Sequence, residues 1–74
     1  MMDIFKSGEQ VRITYEGQSR SGTVKLASQN GKSLMLEFFG MLGGYVGMLP
    51  CLWDDRRAEF LDLIENKSVK VSKP

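Results

Sequence analysis

The sequence predicts an all-β chain folded as a small five- to six-stranded barrel or β-roll. Three observations predict it. Apolar and polar residues alternate with period two over several short runs, the mark of half-buried strands. Glycine-bearing breaks separate these runs at close spacing. The one long uncharged segment, residues 38–53, reads FFGMLGGYVGMLPCLW, and its four glycines and Pro50 make it a poor helix.

The first run covers residues 11–15, with Val11, Ile13 and Tyr15 on one face and Arg12 and Thr14 on the other. Glu16-Gly17 breaks it. Alternation resumes over 19–28, with Val24 and Leu26 inward and Thr23 and Lys25 outward, and Gly22 predicts a bulge or bend there. Asn30-Gly31 is a favoured pair for a tight hairpin turn, because both residues tolerate positive φ. A third strand follows over 33–39. Leu34, Leu36 and Phe38 share one face, yet Met35 and Phe39 make the other face apolar as well. A strand apolar on both faces is either central or covered by a partner.

Residues 40–44 form a loop or wide bulge, and 45–53 a fourth strand. Pro50 has no N–H for a ladder, so it belongs at an edge or bulge. After the polar turn 54–57, two alternatives compete. Asp54 could cap a short helix or helical turn near 54–61, or 59–64 and 68–71 could pair as a hairpin through Asn66-Lys67. The hairpin is preferred, because Val69 and Val71 need a partner strand. The ends, about 1–7 and 72–74, are expected to be flexible. Among small barrels, an SH3-like one fits the length.

Seventy-four residues make one domain, which buries only roughly 60% of the surface its unfolded chain exposes. Small domains gain stability from disulfides, metals or oligomerisation. One cysteine and no histidine leave no internal disulfide and no zinc site of the common kind, so a homo-oligomer, in particular a homodimer, is expected. The expected interface residues are Met35, Phe39, Met41, Tyr45, Met48 and Trp53, which a further protein partner could also use. Ten basic against nine acidic side chains give no general grip on nucleic acid or membrane. Neither a signal peptide nor a twenty-residue apolar span is present, and a cytoplasmic location is expected.

No catalytic constellation, cofactor site or metal site is recognisable. Without histidine the commonest neutral-pH base is missing. Cys51 lies in an apolar run with no base nearby and reads as structural. Asp54, Asp55, Glu59, Asp62 and Glu65 are interleaved with Arg56 and Arg57, which predicts a solvated turn with local ion pairs. The glycines of 40–47 are followed by neither a helix nor a lysine, so they do not form a phosphate loop.

The segment Leu26-Ala27-Ser28-Gln29-Asn30-Gly31, followed by Leu34 and Leu36, resembles the second motif of c-di-GMP-binding PilZ domains, which are also small β-barrels. The match places Ser28 and Gly31 correctly, but Leu26 stands where that family has an acidic or amide residue. The family's paired arginines are not reproduced, since Arg12 and Arg20 are eight apart. The resemblance implies a barrel more than a nucleotide site; a barrel that binds a nucleotide or other small molecule, with Arg12, Arg20, Ser28 and Tyr45 as candidate residues, is the alternative function. Over most of its length, through VRITYEG, GTVKLASQNGKSLMLEF and MLGGYVGMLPCLW, the chain is similar to small uncharacterised bacterial proteins of the kind carried as mobile integron gene cassettes. That group implies a compact β-domain and no activity. Cassette cargo includes plasmid-type dihydrofolate reductase, an SH3-like barrel that is an enzyme only as an oligomer. A site shared between subunits is therefore a remote alternative, although that enzyme's motif is absent.

Overall fold

The computed structural model describes residues 4–74. Six antiparallel strands follow one another as β1 (Gln10–Tyr15), β2 (Gln18–Ala27), β3 (Ser33–Leu42), β4 (Tyr45–Asp54), β5 (Glu59–Asp62) and β6 (Ser68–Ser72). Each pairs with the next, and β6 returns to β1, closing a barrel. The fold class is the one expected, with no helix among the described residues. The helix considered over 54–61 does not form: residues 55–58 are a turn, and Phe60 and Leu61 pair with Val69 and Ser68 as the hairpin requires.

The inward phase of each strand supplies the core. Val11, Ile13 and Tyr15 of β1 meet Val24 of β2, Leu34, Leu36 and Leu42 of β3, Leu49 and Cys51 of β4, Phe60 of β5 and Val69 of β6. Glu16-Gly17 is a two-residue turn with φ of 52° and 78°, a geometry that matches strand twist. Gly43-Gly44 makes the β3–β4 turn, and Gly43 lies flat against the Tyr15 ring, where an added Cβ would stand 2.5 Å from Cε2. The Asn30-Gly31 turn is wider than a two-residue hairpin. Ser28 and Ser33 close a four-residue loop, with the Ser28 amide donating to the Ser33 carbonyl at 2.9 Å.

Two bulges depart from the sequence reading. The β2 bulge falls between Val24 and Leu26, not at Gly22, so Lys25 and Leu26 both turn outward; Leu26, expected inside, is 63% exposed. Gly22 instead marks a close approach, because a Cβ there would stand 2.5 Å from the Glu37 carbonyl oxygen and from Ile13 Cδ1. The second bulge lies between Glu37 and Met41. Pro50 sits just past the end of β5, where its carbonyl accepts from the Leu63 amide at 3.3 Å and its nitrogen has no ladder bond to make.

The chain start is tied to the barrel. Phe5 is buried against Phe60, and the Gly8 amide donates to Val24 at 2.7 Å. At the other end β6 extends through Ser72, and Lys73 lies over the Phe5 ring and pairs with Glu9. Of the termini expected to be flexible, residues 1–3 lie outside the described residues.

Candidate interaction surface

Period two also decides what the barrel shows to its surroundings. Along β4 the odd positions point inward, so Val46, Met48, Pro50 and Leu52 form a row on the outside. None of the four is polar. The register brings Met41 of β3 beside Val46, and Met35 beside Pro50. Leu26 of β2 adjoins Met35 from the other side. Leu63, just beyond β5, completes a groove of about 360 Å³ lined by Leu26, Met35, Pro50 and Leu63 above the buried Leu34 and Cys51. The opposite wall is polar, with Arg12 and Thr14 of β1, Ser19 and Ser21 of β2, and Lys70 and Ser72 of β6. The exposed apolar surface is therefore concentrated on one side of the molecule.

Phe39 is the extreme case, at 94% exposed. Its position is built by the second bulge. Glu37 pairs with Met48 and Met41 with Val46, so Phe38, Phe39 and Gly40 of β3 face the single residue Gly47 of β4. Gly40 and Gly47 take φ of 88° and 76°, which side-chain-bearing residues rarely adopt. Phe38 turns into the core and Phe39 out of it. A bulge that re-aims one side chain is a feature of strands near functional surfaces. Between Phe39 and the groove lies Glu37, whose carboxylate pairs with Lys25 Nζ at 3.5 Å.

Among the expected interface residues, Phe39, Met41 and Met48 lie exposed on this wall and Met35 is half-buried in it. Tyr45 and Trp53 do not lie there, because both occupy inward positions on β4. Tyr45 is buried, and Trp53 packs edge-on against Phe60 with ring centroids 5.1 Å apart. Val46, Leu52 and Leu63 escaped the sequence reading. The alternation of apolar residues at 46, 48, 50 and 52 was the available signal, blurred by Gly47 and Pro50.

The residues considered for ligand binding are scattered. Arg12 points outward from β1, while Arg20 lies opposite Ile13 and reaches the Met41 carbonyl at 3.2 Å. Ser28 is at the far end of β2, where its hydroxyl accepts from the Ser33 amide at 3.0 Å and donates to Asn30. Tyr45 is inside. No common site joins the four.

The buried polar chemistry is structural. Asp62, expected in a solvated turn, is fully buried because it takes the inward phase of β5 after Phe60. Its Oδ2 accepts from the Tyr45 hydroxyl at 2.6 Å and the Glu65 amide at 2.8 Å, and its Oδ1 from the Lys67 amide at 2.6 Å. Burial alone would raise the Asp62 carboxyl, but these donors outweigh it and hold the group at about 2. Tyr45 is pushed up to about 12 by burial and by its bond to Asp62. Among the described residues the Tyr15 hydroxyl, buried beside them, has no hydrogen-bond partner, and burial followed by the neighbouring Asp62 carboxylate raises its pKa. Cys51 is fully buried and pushed up to about 12, by burial first and the Asp62 charge second, so its thiolate is not formed at neutral pH. No cluster of three or more metal-ligating side chains occurs among the described residues. No helix of the described residues is long and apolar enough to cross a membrane.

Comparison of the chain with models of protein families, with curated proteins and with solved structures finds no match.

Proposed function

We propose that the chain is a non-catalytic barrel module that acts by self-association through the outer wall of β3 and β4. The observation that carries this reading is the unbroken apolar row Val46, Met48, Pro50 and Leu52 on the outside of a strand whose other face is already core. Monomeric domains seldom leave so much contiguous apolar surface in water. A net charge of +1 sets up little repulsion between copies. In the same proposal the module works in the cytoplasm, where its one thiol stays reduced. Sedimentation velocity from low to high micromolar protein tests it. A dimer that dissociates on dilution is expected. A single species of monomer mass across the whole range would refute the proposal.

A further inference from the structure

The wall carries both a projection and a recess. Phe39 stands out of it, and the groove lined by Leu26, Met35, Pro50 and Leu63 is sunk into it. Phe39 lies two residues beyond Glu37 along β3, and Met35 two residues before it. The bulge sets Phe39 opposite Gly47, one residue before Met48 along β4, and Met35 lies beside Pro50, two residues after it, so the level midway between the projection and the recess falls next to Met48 on its Leu49 side.

We infer that the occupant of this groove is Phe39 of a second copy, in a two-fold dimer whose axis crosses the strands at the level of Met48. The inference rests on the self-association reading and adds the geometry. Two sheets packed face to face are related by an axis lying between them. A two-fold axis at the Met48 level carries the Phe39 end of one wall onto the Met35 end of the other. Both Phe39 side chains then enter a groove at once, as an isologous contact requires. Met48 meets its own copy at the axis, where a flexible thioether adapts to the fit. The level of Gly47 in each copy falls opposite that of Pro50 in the other. Glu37, paired with Met48, faces its own copy near the same axis, with Lys25 of its own chain 3.5 Å from each carboxylate.

The area is sufficient. Among the described residues, seven of the nine exposed large apolar ones lie on β2 to β4 and at the end of β5. At on the order of 100 Å² of exposed side chain each, they offer roughly 700 Å², close to the ~800 Å² that one partner brings to a standard interface. An aromatic anchor seated in a pocket is the usual centre of such a contact.

The test uses Phe39→Ala, which removes the projection, and Leu26→Arg, which blocks the recess. Both positions are exposed, so urea unfolding of each variant should match that of the parent chain at a dilution where the parent is monomeric. Each variant alone should raise the dimer dissociation constant at least tenfold, read by sedimentation velocity. Mixing the two leaves one intact contact, from Phe39 of the Leu26→Arg chain into the open groove of the Phe39→Ala chain. The mixed dimer should therefore form more tightly than either variant forms with itself. If the parent dimerises and both variants dimerise as well as it does, the Phe39 seat is wrong and the self-association reading stands. If both variants weaken but the mixture gains nothing, the reciprocal geometry is wrong. A parent chain monomeric at every concentration overturns both readings.

Discussion

The Asp62 carboxylate should make the stability of this barrel depend on pH in a narrow acid window. Its folded value of about 2 lies below the ordinary 3.8, because the Tyr45 hydroxyl and two backbone amides prefer the charged form strongly enough to outweigh burial. Each tenfold change in proton affinity is worth about 1.4 kcal/mol, so the gap amounts to about 2 kcal/mol. A folded value below the unfolded one means that this stabilisation is complete above about pH 4. It declines as the pH falls and is gone below about pH 2. Asp62→Asn removes the dependence and adds a cost at neutral pH. The amide nitrogen would face a hydroxyl or amide that now donates to a carboxylate oxygen, and one buried donor would lose its acceptor, at about 1–3 kcal/mol. Urea unfolding followed by the fluorescence of Trp53, the one tryptophan, measures both effects. The parent chain should exceed Asp62→Asn by about 3–5 kcal/mol at pH 7, with the difference narrowing by about 2 kcal/mol toward pH 2. A difference constant across that range would refute the reasoning, as would an Asp62 carboxyl resonance titrating near pH 4.

Two further outcomes follow from burial and close approach. Cys51 should not react with a disulfide reagent at pH 8 in the native protein and should react fully in urea, because its thiol is buried and pushed up to about 12; modification of the native protein at the rate of a free thiol would contradict this. Gly22→Ala should cost about 2 kcal/mol, since its Cβ would stand 2.5 Å from both the Glu37 carbonyl oxygen and Ile13 Cδ1, whereas Gly44→Ala, whose Cβ meets nothing within 4 Å, should cost less than about 1 kcal/mol; equal urea midpoints would show that the strands can part at Gly22.

The local periods of the sequence carried most of the strand plan, because an inward and outward alternation needs no tertiary information. Val11, Ile13 and Tyr15, and Leu34, Leu36 and Phe38, are inside as their spacing requires. The candidate surface was legible at β3, where Met35 and Phe39 broke the polar phase. Where a bulge shifts the phase, the pattern misleads. Leu26 reads as a core residue from Val24, and only the extra residue on β2 turns it outward. Tyr45 and Trp53 were counted with the surface because Gly47 and Pro50 hide the phase of β4. Asp62 was illegible for a different reason. Its charge reads as solvated unless the three donors that satisfy it are known, and two of them are backbone amides with no sequence signature.

The same devices that display the apolar wall also limit how two copies can join. A strand edge is the usual place for one sheet to add to another. The first half of β4 pairs only with β3, since β5 begins its ladder at Cys51, so this stretch is the nearest thing to an edge in the barrel. It is blunted at both points that matter. Gly47 bends the strand at a φ of 76°, and Pro50 closes the stretch with a nitrogen that cannot donate. A bulge and a proline are what native sheets use to refuse an incoming strand. Association through the side chains of the wall is then the route left open. The bulge that spoils the edge is also the one that lifts Phe39 clear of the surface, so a single irregularity between Glu37 and Met41 disfavours strand pairing and supplies the anchor of the proposed face-to-face contact.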